Sequence, residues 1–293
     1  MTIRLDMTRA ASRAEKALDT SAELVEKLIR SKINDDGGFA DRKGQSDLYY
    51  TLFGIETLLA LKSDMPADKI LSYLTGFKDG KSLDLIHLAS LVRCLAEVSE
   101  KLLKTNKDNF IKYLNTFRCN DGGYSNTPLS SKGTMYGCFL VLGAYQDLGE
   151  PVPDIDSFIN CINSLRTPDG GFANDSRAKV SSTPVTAAAI TALHYLQADL
   201  DTSAANWLES CLYPKGGFLA VPKALAPDLL STATAVHALC LTGHDIGNIK
   251  EICLDFTDSV WSSKGGFHGT WADNVLDCEY TYYGLLTIGH LSN

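Results

Sequence analysis

Carboxylates and tyrosines recur at the starts of apolar helical segments, where they could carry acid chemistry. Asp228 opens the segment "PDLLSTATAV", and "DCEYTYYGLL" contains Asp277, Glu279, Tyr280 and Tyr282. A carboxyl group in apolar surroundings has a raised pKa and can act as a general acid. Beside tyrosine rings, such an acid suits protonation of an alkene, because aromatic faces stabilise a carbocation.

Each of these residues also has a purely structural interpretation. Asp228 and Asp277, like Asp47 and Asp84, can be N-caps or first-turn acids of their helices. The tyrosines can be core packing residues. His87 lies one turn after Asp84 in "SLDLIHLASLV", where it could be an oriented base or a satisfied core histidine.

The segments that carry these residues belong to a repeated unit. A Gly-Gly-aromatic motif occurs in "DDGGFA", "NDGGYS", "PDGGFA", "PKGGFL" and "SKGGFH". Its first glycines are Gly37, Gly122, Gly170, Gly216 and Gly265. The last three steps between them are 48, 46 and 49 residues, and the first step of 85 is divided by Gly80 in "FKDGKSLD". A nearly constant period over most of the chain predicts six repeats.

Each repeat reads as helix, turn, helix. The first segment is amphipathic, as in "DTSAELVEKLIRSKIN", where Thr20 and Glu23 have capping-box spacing. The Gly-Gly pair fits a helix end followed by a positive φ. The second segment, such as "TPVTAAAITALHYL", is apolar around most of its circumference and is therefore a buried inner helix.

Closure of the six hairpins into a ring is favoured because the last inner helix is as apolar as the others and needs a partner to cover it. We predict an all-α (α/α)6 toroid of helical-hairpin repeats over residues 20–293. Residues 1–19 are predicted to be an N-terminal leader or a frayed helix.

In such a toroid the starts of the inner helices line one mouth of a central cavity, where N–H donors and positive potential concentrate. The catalytic candidates at this mouth are Asp228, Asp277, Glu279, Tyr280 and His87. The candidates for substrate binding are Tyr49, Tyr50, Tyr136, Thr232 and Tyr282, with Trp271 in the sixth loop. Three histidines toward the opposite ends of inner helices are interpreted as packing residues: His194, His237 and His290.

Composition argues against several classes of function. The net charge of −8 argues against binding nucleic acid or an anionic membrane through bulk electrostatics. No segment approaches the roughly 18 consecutive apolar residues of a membrane span. The eight cysteines are scattered, with no CxxC pair, and fit reduced, buried thiols in a cytoplasmic protein.

The six hairpins with Gly-Gly-aromatic turns resemble the β subunits of protein prenyltransferases, whose fold also builds squalene-hopene-type terpene cyclases. The stretch "GGFADRKGQSDLYYTLFG" is similar to a repeat of the geranylgeranyltransferase branch. "PDLLSTATAV" and "DCEYTYYGLL" resemble the helix starts that carry that family's metal site. The resemblance implies a toroid, an isoprenoid or other lipophilic ligand and, for the protein transferases, a helical partner subunit.

The family's zinc is held by an Asp and a Cys at the start of the fifth inner helix and a His at the start of the sixth. Carried onto this sequence, these positions are Asp228, Leu230 and Tyr280, and Tyr50 stands where the similar repeat has the His. A zinc site needs three or four donors. The sequence therefore predicts no prenyltransferase-type zinc and no other cofactor.

The family's diphosphate-binding His and Arg are likewise replaced here, by serine and valine. Arg177, Lys179 and Lys223 lie in the same two loops. They could form a small basic patch for a substrate, or remain solvated loop charges. The DxDD acid motif of the cyclases is absent.

We therefore expect an isoprenoid-handling enzyme without the zinc site, with terpene-cyclase-like or small-molecule prenyl-transfer activity in a tyrosine-lined apolar cavity. Two alternatives stay open. One is a non-catalytic toroid that binds a partner or a lipophilic ligand. The other is a zinc-dependent protein prenyltransferase β subunit that needs an α partner.

Overall fold

Six helical hairpins follow one another in a computed structural model that describes residues 2–200 and 202–292. The outer helices are α3 (Ser21–Ser31), α5 (Ala67–Thr75), α7 (Glu100–Leu114), α9 (Ile155–Asn163), α11 (Ser203–Ser210) and α13 (Lys250–Ser259). The inner helices are α4 (Leu48–Ala60), α6 (Leu85–Val98), α8 (Met135–Leu148), α10 (Thr183–Tyr195), α12 (Leu229–Leu241) and α14 (Cys278–Leu291). Short 3-10 helices, Asn115–Phe117 and Gly247–Ile249, adjoin α7 and α13.

The six inner helices form a closed ring. Each packs against its two neighbours in chain order, and α14 packs against α4 to complete the circle. The apolar circumference of these helices explains the arrangement, since each must bury two flanks against neighbours and one face against an outer helix. The predicted (α/α)6 toroid is confirmed. No helix of the described residues is both long and apolar enough to cross a membrane.

The glycine turns also join consecutive repeats, and the last turn closes the ring. Gly265 has a φ of +92°, and a Cβ at this position would overlap the backbone carbonyl of Leu24 in α3. A side chain there is disfavoured by the left-handed backbone and has no space. The sixth repeat thus packs against the first through a contact that only glycine permits.

We expect Gly265→Ala to lower the free energy of unfolding by about 2–3 kcal/mol, because it adds a steric overlap to an unfavourable φ. Gly44→Ala is the matched control, since Gly44 has a φ of +85° and nothing within 4 Å of its added Cβ. The control should lose only about 1 kcal/mol. Urea denaturation of both variants measures the difference. Equal losses would show that the close contact with Leu24 does not contribute to the free energy of unfolding.

The aromatic residue after each glycine pair fixes the loop to its inner helix. The ring of Phe39 lies against Gly54, where a Cβ would overlap it. The backbone N–H of Phe39 donates to Thr51 Oγ1 at 2.9 Å. The same bond joins Phe218 to Thr232 Oγ1, also at 2.9 Å. The threonine at this position of the inner helix therefore fixes the preceding loop to that helix.

Short antiparallel strand pairs lie in three of the loops. β1 (Phe39–Ala40) pairs with β2 (Ser46–Asp47), and β3 (Phe218–Leu219) pairs with β4 (Pro227–Asp228). In the last repeat β5 (Trp261–Ser262) pairs with β6 (Gly266–Phe267). The first two pairs return the chain to the N-cap aspartate of an inner helix.

Two further helices, α1 (Ile3–Ala11) and α2 (Ala14–Leu18), precede the first hairpin. Helix α1 contacts α4, α8 and α14, and its Ile3 and Met7 side chains are buried. Arg4 pairs with Glu97 and Asp147 in the last turns of α6 and α8. Helix α1 therefore lies across the ring at the C-terminal ends of the inner helices, which we call the base. The division of the chain at residue 20 stays a prediction.

Candidate functional site

The cavity at the centre of the ring is lined by a fixed set of helical positions. Counting from the N-cap residue, these are mainly the positions two, six and nine residues further on. Helix α6 lacks the first of them and α14 the last, and position five is added on four of the helices. The layer nearest the N-termini, called the mouth, contains Tyr49, Tyr136, Pro184, Leu230 and Glu279. The layer nearest the base contains Glu56, Arg93, Gly143, Thr191 and His237.

The cavity has two adjacent lobes. The larger, of about 250 Å³, lies among α8, α10, α12 and α14, and the smaller, of about 90 Å³, lies toward α4 and α6. Both lobes are bordered by Tyr49, Tyr136, Phe139, Tyr283 and by Met7 of α1. Their walls are mostly apolar, so a polar group on them is exceptional and open to a functional role.

Glu279 is the acid that borders the larger lobe. Its Oε1 accepts a hydrogen bond from the hydroxyl of Tyr49 at 2.6 Å. Burial raises the pKa of Glu279 to about 7, and the bond from Tyr49 opposes part of this rise. The carboxyl group is therefore partly protonated at neutral pH, as a general acid requires.

Aromatic rings surround this acid. The ring centroids of Tyr49 and Phe53 are 4.9 Å apart, and those of Phe53 and Tyr283 are 5.5 Å apart. Tyr136 completes the wall from α8. Burial raises the pKa of Tyr136 to about 12, so its hydroxyl stays neutral at neutral pH. Neutral rings around an apolar space can stabilise a transient cation.

The two predicted aspartates cap their helices. Asp228 accepts hydrogen bonds from the backbone N–H and the hydroxyl of Ser231, each at 2.7 Å. Asp277 accepts from the backbone N–H of Tyr280 at 2.9 Å and pairs with Arg42 at 2.7 Å. Neither aspartate lines the two lobes. The geometry matches the capping interpretation of both residues.

Arg42 organises the rim outside the acid. It also pairs with Asp273 at 2.8 Å, and its guanidinium lies 5.2 Å from the ring centroid of Tyr280. Tyr50 stands beside Tyr49, with ring centroids 5.7 Å apart. Tyr280 and Tyr50 thus lie one position beyond the cavity-lining residues, on the rim.

Three other predicted residues lie outside the cavity wall. Thr232 is fully buried and donates to the carbonyl of Asp228 at 2.7 Å. Tyr282 is fully buried against Phe53. Trp271 is 50% exposed, and its indole N–H donates to Ser259 on the outer helix α13 at 2.8 Å.

The three predicted basic residues are exposed on loops of the fourth and fifth repeats. Arg177 pairs with Asp175 at 3.4 Å, and Lys179 and Lys223 are exposed. None of the three lines either lobe. The position of these charges matches solvated loop residues more closely than a diphosphate site.

His87 bridges two repeats at the rim. Its Nδ1 lies 2.9 Å from Asp84 and its Nε2 lies 3.0 Å from Asp47. The hydrogen bond to Asp47 is the main cause that raises the pKa of His87 to about 9. The imidazole is therefore charged at neutral pH and occupied on both sides, so it is a poor base.

We expect His87→Gln to reduce stability in a pH-dependent way. A raised pKa stabilises the fold fully below the unfolded value of 6.5, and this contribution disappears as the pH rises through about 9. Because the side chain is partly exposed, the loss at pH 6 should be about 1 kcal/mol after solvent screening. Denaturant titrations at pH 6 and pH 10 measure it, and a difference that is equal at both values would contradict the charged clamp.

The base layer holds polar groups that were either not predicted from the sequence, as for Glu56 and Arg93, or interpreted as packing residues, as for His237. Glu56 pairs with Arg93 at 2.6 Å, and burial raises the pKa of Glu56 to about 7. His237 Nδ1 lies 3.0 Å from His290 Nε2. A usable signal was present, since Glu56 is the single charge of α4 and Arg93 interrupts an apolar stretch of α6, each nine residues after an N-cap.

The residues at the family's zinc positions do not fit a zinc ion. Leu230 presents an alkyl group to the larger lobe, Tyr280 lies under Arg42, and Asp228 is occupied as an N-cap. Within residues 2–200 and 202–292, no three His, Cys, Asp or Glu side chains are grouped so as to hold a metal. The absence of zinc from the working protein stays a prediction.

Comparisons with solved structures give the same architecture. Protein geranylgeranyltransferase-I from Candida albicans, solved with GGPP, is 17% identical, with a TM-score of 0.65 over 90% of this chain and 89% of its own. A variant of the type II terpene cyclase MstE from Scytonema, solved with merosterolic acid A, is 13% identical, with a TM-score of 0.61 over 96% and 97%. The GH76A alpha-1,6-mannanase from Salegentibacter is also 13% identical, with a TM-score of 0.66 over 93% and 98%.

At these identities the likeness concerns the fold alone, and the mannanase shows that the fold does not decide the reaction. No curated protein matches the sequence. The sequence-family model of the prenyltransferase alpha-alpha toroid domain matches this chain in three overlapping segments, residues 14–75, 68–202 and 185–293. This confirms the resemblance that the glycine turns suggested. The chain belongs to the prenyltransferase alpha-alpha toroid domain family.

Proposed function

We propose that this protein binds a short isoprenoid in the central cavity and protonates one of its double bonds with Glu279. The observation that carries the proposal is the Glu279 carboxyl group, which borders an apolar, tyrosine-lined lobe and accepts a hydrogen bond from Tyr49. The activity is terpene-cyclase-like, since the reaction begins by proton addition and needs no diphosphate to leave.

The proposed step uses groups that are in place. The O–H bond of Glu279 breaks, the alkene π electrons take the proton to form a C–H bond, and a tertiary cation remains. Tyr49 already donates to the carboxyl group and stabilises the carboxylate that forms. The rings of Phe53, Tyr136 and Tyr283 face the cation across the lobes. Loss of a different proton from the cation completes an isomerisation or cyclisation.

Cavity size supports a short substrate. The two lobes, of about 250 and 90 Å³, together lie near the lower end of the range of about 300–1,000 Å³ for ligand pockets. Helix α1 closes the base with Ile3 and Met7. We therefore expect geraniol or farnesol to fit better than geranylgeraniol.

Prenyl transfer from a diphosphate is the less favoured form of the activity. Arg177, Lys179 and Lys223 are exposed on loops and do not line the cavity. The donors at the family's zinc positions do not fit zinc, so zinc-activated thiolate chemistry is not part of the proposal. Both features support protonation over ionisation of a diphosphate.

A thermal-shift series tests binding. At one common concentration, about 100 times the larger of the Kd values for geraniol and farnesol, these two alcohols should raise the melting temperature by about 5 °C or more, and geranylgeraniol by less. Ala188→Trp should remove the shift, because Ala188 lines the larger lobe and the indole would fill it. Equal shifts for all three alcohols, unchanged in Ala188→Trp, would contradict binding in this cavity.

A non-catalytic, partner-binding toroid is the second candidate, favoured by apolar side chains exposed on consecutive loops at the mouth. Leu129 is 95% exposed and Leu225 is 96% exposed, and Val180 and Trp271 are also exposed. A partner subunit that covers these loops would explain them. This candidate gains if prenyl alcohols neither stabilise the protein nor react, while a co-purified partner protects the four loops from proteolysis.

A further inference from the structure

His237 and His290 form a hydrogen-bonded pair at the base of the cavity. They lie on the neighbouring inner helices α12 and α14, 53 residues apart in the chain, with His237 Nδ1 and His290 Nε2 3.0 Å apart. His237 is only 5% exposed. It borders the same larger lobe as Glu279, from the opposite end.

The other side of the pair faces a separate groove. This groove, of about 340 Å³, is bordered by His237 and His290 together with Asp6, Arg9 and Arg13 of the N-terminal segment. His237 is thus a wall of two spaces, the central lobe and the groove. Among the described residues, His237 is the one that borders both the larger lobe and the groove.

One nitrogen of this pair is left unsatisfied. His237 Nε2 is buried and has no hydrogen-bond partner within residues 2–200 and 202–292. Leaving a buried polar nitrogen unsatisfied costs free energy, so a structural role alone accounts poorly for it. Burial lowers the pKa of His237 to about 4 and that of His290 to about 3, which keeps both rings neutral. A neutral imidazole can accept a proton at one nitrogen and donate one from the other.

The lobe has the depth to separate two steps of one reaction. Leu230, Thr234 and His237 line it along one face of α12, which spans about 10 Å at a rise of about 1.5 Å per residue. Glu279 lies at the mouth end and His237 at the base end. A short isoprenoid along this axis would have its two ends near two different proton-handling groups.

We propose that His237 is the base that ends the reaction, and that His290 passes the proton on to water in the groove. This inference rests on the proposed function, in which Glu279 adds the first proton. It assigns a catalytic role to two histidines whose sequence context had predicted packing residues.

Bonds and protons balance in the proposed step. A C–H bond next to the cationic carbon breaks, its electron pair forms the new C=C bond, and the proton goes to His237 Nε2. His237 then gives its Nδ1 proton to His290 Nε2, and His290 releases its Nδ1 proton to water. Glu279 regains a proton from water at the mouth, and proton exchange with groove water restores the tautomers of the pair. Even a weak neutral base suffices, because a carbocation is a very strong acid.

The test follows the products of farnesol by gas chromatography and mass spectrometry. The wild type should form mainly a cyclic product with a new double bond. His237→Asn keeps an amide near the Nδ1 position for His290 but removes the base, so alkene formation should fall about 100-fold and the diol from water capture should increase. In His237→Ala, added imidazole should restore alkene formation at least tenfold. His194→Asn is the matched control, an exposed histidine in the last turn of α10 that lines neither lobe.

The outcomes separate this inference from the proposed function. A wild type that converts no prenyl alcohol overturns both. A wild type that converts farnesol with an unchanged product ratio in His237→Asn overturns the histidine base alone. Loss of alkene in His237→Asn without rescue of His237→Ala by imidazole also overturns it, since it indicates a purely structural role. Melting temperatures of all variants show that each comparison is made on folded protein.

Discussion

Glu279→Gln is expected to reduce turnover of farnesol by about 100- to 10,000-fold while leaving the protein folded. The amide keeps an oxygen for the hydrogen bond from Tyr49 but has no proton that it can donate to an alkene. The stabilisation by farnesol in a thermal-shift assay should persist, because the cavity keeps its shape. Initial rates of product formation with wild type and variant measure the effect.

The pH dependence of turnover tests whether the protonated form of Glu279 is the active one. The protonated acid is the active form, so turnover should be at its plateau below pH 7 and fall about tenfold per pH unit above it, given a pKa of about 7 for Glu279. Tyr49→Phe removes the hydrogen bond that holds the pKa down. In that variant the fall should begin at a higher pH.

Asp228→Asn is the matched control for the carboxyl group. Asparagine is as good an N-cap as aspartate, and Asp228 does not line either lobe. Its turnover should stay within a few fold of wild type. The assignment of Glu279 would be wrong if Asp228→Asn lost activity and Glu279→Gln kept it.

Arg93→Met is expected to have the largest effect on stability, a loss of about 3–5 kcal/mol in the free energy of unfolding. It removes the partner of Glu56, whose carboxyl group is 1% exposed and 2.6 Å from Arg93 Nε. The Glu56 carboxylate would remain buried without a counter-charge, or would be forced to take up a proton. Urea denaturation at pH 8, above the pKa of about 7 for Glu56, makes the loss most visible.

Two comparisons show whether the loss comes from the buried pair. Glu56→Leu combined with Arg93→Met should recover most of the stability, because an apolar pair of similar volume replaces two desolvated charges. Arg177→Met removes an exposed arginine that also has a carboxylate partner and should change stability by no more than about 0.5 kcal/mol. If the double variant were as unstable as the single one, the loss of stability would not come from the unpaired Glu56 carboxylate but from another contact at the base, for example one made by Arg4.

The fold was predictable because its signals are local. The positive φ of Gly265 and the packing of Phe39 on Gly54 are requirements set within one repeat, and they recur at a nearly constant spacing. Closure was predictable from the apolar last helix, since such a helix must be covered. The buried contacts of α1 at the base were less predictable, because Ile3 and Met7 find their partners only when the ring exists.

The candidate site was predictable only in part. Asp228, Asp277 and Glu279 were treated alike, although they sit at different positions relative to the N-cap. An N-cap carboxylate accepts a hydrogen bond from the backbone N–H two or three residues further along the chain, as Asp228 does from Ser231 at 2.7 Å. The residue two positions further on points into the ring, which is why Glu279 and Tyr49 meet.

The amino-acid sequence alone determined the repeat, the order of outer and inner helices and the end of the ring at which acids and tyrosines gather, because these depend on periodicity and helix capping within single repeats. The tertiary structure decided which side chains share the cavity. Tyr49 and Glu279 lie 230 residues apart, and His237 and His290 lie on different repeats. Such pairs depend on the rotation of each helix about its own axis and on closure of the ring, which no single repeat specifies.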